Sequence, residues 1–151
     1  MPRRDNIEFI VFAIEQARQA EAFGFTRNEC CRNLKTALHQ YWQNKELQQH
    51  STAHKSRIPR SRAAASVELA ECEVEHAVPQ MHIVNLLMDM PSPTTEKVRE
   101  LLKRLFVVRL VTRQEHAALN SSGLRSKMPE EWDTLDVFAR YKRVGIEIPE
   151  A

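Results

Sequence analysis

Glu71-Cys72-Glu73-Val74-Glu75-His76-Ala77-Val78, closed by Pro79, is one of two runs on which the fold turns. The other is Phe106-Val107-Val108-Arg109-Leu110-Val111, which leads into Thr112-Arg113-Gln114-Glu115-His116-Ala117-Ala118-Leu119-Asn120. Both runs are too short for ordinary helices, and the second is apolar and β-branched, as a buried strand requires. Pro79 ends the first because it has no N–H for a ladder. Thr112 followed by Glu115 is a capping box, which starts a helix at Thr112. His116 and Asn120 then stand four residues apart, on one helix face. The reading is that 71–78 and 106–111 pair antiparallel and pack on the helix from Thr112. Glu75, His76, His116 and Asn120 are expected to converge there.

Working outward, Ile7, Ile10, Val11, Ile14 and Ala17 have the spacing of an amphipathic helix over Asn6 to Ala22. Gly24 breaks it, and Thr26 with Glu29 opens a second helix bearing Cys31, Leu34, Leu38, Tyr41 and Trp42. Residues 1–47 therefore form a helical hairpin. Residues 48–62 lack an apolar period and read as a basic linker or loop, holding His50 and His54. A short helix is expected over Arg62 to Leu69. Two helices should fill the interval between the strands, one over His82 to Met90 and one opened by Ser92-Pro93 as N-cap and first position. Residues 63–128 make up the strand-containing unit, with Gly123 suited to a left-handed cap. A tail over 129–151 carries a helix through Leu135, Phe138 and Tyr141, stopped near Gly145. The class is α+β, mostly helical, in one compact domain.

Composition narrows the function. The 151 residues are 42% hydrophobic and 28% charged, as in an ordinary globular domain. No apolar stretch reaches membrane-spanning length, and no signal-peptide pattern opens the chain. Cytoplasmic residence without a membrane partner is expected. Three cysteines without a CxxC spacing give neither a disulfide framework nor structural zinc. Three glycines exclude a Gly-rich phosphate loop. The net charge of +2 is small, but Lys45, Lys55, Arg57, Arg60 and Arg62 stand against Glu46 alone in the stretch from 45 to 62. Such a stretch is commonly solvated. Beside a nucleic-acid site, its lysines and arginines would bind phosphates without reading sequence.

The second half of the chain resembles the HNH nucleases, whose ββα-metal unit cuts nucleic acid. In that family a carboxylate or histidine ligand precedes the general-base histidine, followed by an apolar pair and proline; Glu75, His76 and Ala77-Val78-Pro79 match. A second strand then leads through a Thr or Cys turn into a helix bearing His or Asn ligands; Val108 to Thr112, His116 and Asn120 match. The resemblance spans about 71–123, with two helices inserted between the strands. It implies Glu75, His116 and Asn120 as ligands of Mg²⁺ or Mn²⁺, His76 as the base, and DNA rather than RNA as substrate. Lys55, Arg57, Arg60 and Arg62 would be its phosphate contacts. The family's central Asn has no counterpart around Phe106-Val107. That absence favours an alternative, a non-catalytic nucleic-acid-binding or adaptor protein on the same fold. Taken singly, a Glu-His pair at a strand end commonly faces solvent or caps a chain end, and His82 belongs to a helix surface. Cys72 alternates to the side opposite Glu73 and Glu75 and reads as a buried small hydrophobe.

Overall fold

A computed structural model describes residues 6–43 and 52–150, and within them the chain is α+β, mostly helical, with a two-stranded antiparallel sheet. Helix α1, Asn6–Ala22, buries Ile7, Ile10, Ala13, Ile14 and Ala17. Thr26 caps α2, Arg27–Cys30, by accepting the Glu29 N–H, and α3, Arg32–Gln43, buries Leu34, Ala37, Leu38, Tyr41 and Trp42 against α1. The second expected helix thus runs as two segments, interrupted at Cys31.

Strand β1, Cys72–His76, pairs with β2, Val108–Thr112, with Glu75 opposite Arg109 and His76 opposite Val108. Between them lie α4, Gln80–Met88, and α5, Thr95–Leu105. The α5 cap is Thr94, whose side chain accepts the Lys97 N–H. The expectation for Ser92-Pro93 is corrected: Ser92 takes φ 46°, outside the N-cap geometry. Arg18 ties α1 to the end of α4, its Nε donating to the Met88 carbonyl at 2.9 Å.

Thr112 and Glu115 form both halves of the capping box that opens α6, Arg113–Ser121. Gly123, just past its end, has φ +80°. The tail contributes a shorter helix than expected, α7, Ala139–Val144, ended by left-handed Gly145. Leu135 lies outside it and is 71% exposed. Asp133 there accepts the Leu135 and Asp136 N–H groups, holding a turn where a helix was expected.

The sheet divides two apolar clusters. Cys72, Val74, Val108 and Leu110 face the main core built on α1, α3, α4 and α5. Val111, with Ala77, Leu119, Tyr141 and Ile146, faces a smaller cluster under α6 and α7. Period-two alternation assigns Glu73, Glu75 and Arg109 to this second side, and His76 to the first.

Residues 52–62 are not a free linker. Thr52–Arg57 is a 3₁₀ turn, and Ile58 is buried. Arg60 bridges Leu110 in parallel, while the Leu110 N–H reaches the Pro59 carbonyl and the Ser61 N–H the Leu110 carbonyl, each at 2.8 Å. The open edge of β2 thereby gains its hydrogen bonds. A short 3₁₀ turn, Ala64–Ser66, replaces the helix expected over 62–69, and a second follows at Leu69–Glu71. Lys45, His50 and the side chain of His54 lie outside what is described.

Candidate functional site

Glu75 stands on the α6 side of β1, next to the end of the strand, and is 13% exposed at its side chain. The capping box aims the first turn of α6 across it. His116 Nδ1 lies 2.7 Å from Glu75 Oε2, and the His116 side chain is 40% exposed. The carboxylate accepts from Nδ1–H, which leaves Nε2 as the ring's free nitrogen.

A residue that the sequence reading passed over holds this carboxylate in place. Arg140, on α7, is fully buried and directs Nη2 to Glu75 Oε1 at 3.2 Å. Its Nε donates to the Ala77 carbonyl at 3.1 Å, Nη1 to the Leu124 carbonyl at 2.5 Å, and Nη2 also to the His76 carbonyl. Tyr141 on the same helix donates to the Glu75 carbonyl at 3.4 Å, and burial pushes its phenol well above the usual range. One carboxylate oxygen therefore meets a locked guanidinium and the other a half-exposed imidazole. A buried charge pair persists when further hydrogen bonds complete it, and Arg140 has them.

His76 is on the other side of the sheet. Its ring meets the Phe106 ring edge-on, with centroids 5.5 Å apart. Burial is the main cause holding its pKa below the ordinary value; nearby His39 and Arg140 act in the same direction and Glu75 against it. The expected convergence of four residues is thus met by Glu75 and His116. Asn120, one turn along α6 from His116, is exposed. Asn85 accepts from Arg27 at 3.3 Å, within the α2–α4 contact and away from this site. His82 packs edge-on against Trp132 at 5.3 Å rather than lying on a bare helix surface.

Comparison with protein-family models, with curated proteins and with solved structures found no match. The site is read from its own chemistry.

For a divalent ion, Glu75 Oε2, His116 and Asn120 would offer one carboxylate, one imidazole and one amide oxygen. Among the described residues no group of three or more His, Cys, Asp or Glu side chains surrounds a metal-sized position. Water and substrate oxygen would therefore complete the shell, the usual arrangement for Mg²⁺. To form such an open set, His116 Nδ1 would have to lose its proton and exchange its hydrogen bond to Glu75 Oε2 for the ion, and the set lacks the ligands of structural zinc.

Arg109, the register partner of Glu75, provides a cation on the same side of the sheet. Its guanidinium lies 5.4 Å over the Phe138 ring, and Nη1 donates to the Val108 carbonyl at 2.8 Å. No carboxylate pairs with it among the described residues. It lines a cleft of ≈960 Å³ of mixed charge, with Arg62 and Lys142 on one side of the balance and Glu147 and Glu150 on the other. Burial lowers its pKa below the ordinary arginine value.

The basic segment divides into two kinds of residue. Lys55 Nζ donates to the Cys72 carbonyl at 2.5 Å, and Arg60 Nη1 to the Ala64 and Val67 carbonyls at 3.2 and 3.1 Å. These two hold the chain together. Arg62 is an exposed partner of Glu147 at 3.1 Å, and Arg57 is exposed.

Proposed function

We propose that the surface between β1 and α6 is the working site of a metal-dependent phosphodiesterase of HNH type acting on nucleic acid, DNA before RNA. The observation that carries this reading is the 2.7 Å approach of His116 Nδ1 to Glu75 Oε2, at the junction of a strand pair and a capped helix. Glu75 and His116, with Asn120, would hold Mg²⁺ or Mn²⁺. A bound divalent ion supplies charge neutralisation at the scissile phosphate and acidifies the attacking water.

The chain's own residues do the rest. Arg140 fixes the Glu75 carboxylate through Oε1, so Oε2, the oxygen that faces His116, is aimed without reorganisation. Arg109 engages a phosphate oxygen as a planar, permanently charged donor. His116 keeps an accessible ring edge toward solvent. His76 acts from the core face, where it supports Phe106 and the end of β1.

The non-catalytic alternative, nucleic-acid binding on the same surface, is favoured by the missing family Asn and by His76, the base implied by the family pattern, not sharing a side of the sheet with Glu75. Nicking of supercoiled plasmid with Mn²⁺ or Mg²⁺ separates the two readings, alongside single-stranded DNA and RNA substrates and a chelator control. Chelator-sensitive cleavage supports the enzyme. Binding without cleavage supports the alternative, and neither binding nor cleavage removes both.

A further inference from the structure

Helix α1 carries an apolar inner stripe and an outer stripe of exposed aromatic residues interrupted by glutamines. The inner one, Ile7, Ile10, Ile14 and Ala17, is buried in the main core. The outer one repeats the same spacing two residues on: Phe9, Phe12, Gln16, Gln19, then Phe23. The Phe23 N–H still reaches the Gln19 carbonyl at 3.2 Å, so the helical path continues to this last position. Two residues of an α-helix turn about 200°, which points the second stripe away from the core. Phe9, Phe12, Phe23 and the adjacent Phe25 are 48, 50, 87 and 58% exposed. Phe9 and Phe12 already touch, with ring centroids 6.3 Å apart. Single exposed apolar residues need no explanation; aromatic residues at the spacing of a helix-pairing seam do.

We propose that this outer face is the interface of a homodimer in which α1 packs antiparallel on α1 of a second copy. The stripe is complementary to itself about a two-fold axis at Gln16. Phe9 meets Phe23 of the other copy, Phe12 meets Ala20, and Gln16 meets Gln16, whose amides can bond each other and fix the register. Beside the stripe is a shallow cavity of ≈390 Å³ whose floor residues Ala13, Ala17 and Ala20 are small and whose lining also includes Phe25 and the polar Gln16, Glu29 and Asn33. Small side chains there leave room for the partner's Phe12. The size is also that of a dimer. At about 200 Å² for each aromatic side chain, the four phenylalanines offer roughly 500 Å² per copy, which brings two copies to the ~1,000 Å² that a specific interface needs. The proposal is independent of the function assigned to Glu75 and His116.

The test is sedimentation equilibrium of the full chain, with two sets of variants. A dimer is expected for the wild type at tens of micromolar. Phe12→Glu with Phe23→Glu should raise the dissociation constant by about 30-fold or more, the loss typical of central aromatic residues, with far-UV circular dichroism unchanged. Independently, Gln16→Cys in a Cys30→Ser background should form an oxidised cross-linked dimer, whereas Glu8→Cys should not. A monomeric wild type at 100 µM (about the highest routine concentration) overturns the proposal. So does a dimer that survives the double Phe substitution, or one in which Gln16→Cys fails to cross-link.

Discussion

Replacing Arg140 with leucine tests the architecture of the site most severely. The guanidinium is fully buried and serves the Glu75 carboxylate and the carbonyls of Ala77, Leu124 and His76. Leucine keeps much of the bulk but leaves a carboxylate only 13% exposed without its main cation. Removing one member of a buried pair costs about 3–5 kcal/mol. The stranded carbonyls are part of that loss, since such effects are not additive among groups of one network. For a domain of this size about 3 °C of Tm accompanies each kcal/mol, so the midpoint should fall by roughly 10 °C or more. Urea denaturation of the wild type, Arg140→Leu, Glu75→Gln and the double variant gives the coupling directly. The double variant should be more stable than the sum of the single losses implies, by about 1–3 kcal/mol, because glutamine no longer needs a counter-charge. An Arg140→Leu loss below about 1 kcal/mol, or no coupling, would refute the account of Glu75 as a carboxylate held by buried charge.

Three further outcomes follow from the geometry. Thr112→Ala removes the capping side chain of α6 and should cost about 1 kcal/mol by urea titration; an unchanged midpoint would mean that the capping box does not anchor His116. His76 has a folded pKa below its ordinary value, so the unfolded chain takes up the proton first as pH falls, and stability should decline as pH drops below the unfolded His range. His76→Phe should flatten that decline relative to wild type, with His82 still contributing its own share; an identical slope would place the His76 ring outside the core. In the basic segment, Arg57→Ala and Arg62→Ala should reduce the salt slope of nucleic-acid binding, each by at most ~0.9. Arg60→Ala should instead lower stability, since Nη1 holds the Ala64 and Val67 carbonyls; equal loss of binding from all three without loss of stability would overturn this division.

Local chemistry made the site's framework legible in the sequence. Pro79 follows the end of β1 and the Thr112 capping box marks the end of β2, and helical spacing gives α1 with its observed limits. Long-range contacts were not legible. Arg140 stands 65 residues from Glu75 in a six-residue helix, and nothing in Ala139-Arg140-Tyr141 marks that arginine for burial. Lys55 reads as solvated because the Cys72 carbonyl it satisfies is 17 residues away, and Arg60 because nothing in the sequence shows its segment docking on the distant β2 edge. The separation of Glu75 from His76 is of another kind. Period-two alternation already puts adjacent strand residues on opposite sides, and here that local rule prevails over the convergence implied by the family pattern.

The proposed site of action on nucleic acid is the Glu75–His116 pair. The most direct test of this assignment is Mn²⁺-dependent nicking of supercoiled plasmid by wild type, Glu75→Gln, His116→Ala and His76→Ala, compared at equal folded fraction. Chelator-sensitive cleavage is expected of the wild type, lost by about 10²-fold or more in Glu75→Gln and His116→Ala, as when a working acid–base or metal-holding group is removed, and largely kept in His76→Ala. Cleavage undiminished in Glu75→Gln and His116→Ala, or abolished in His76→Ala alone, would contradict the assignment.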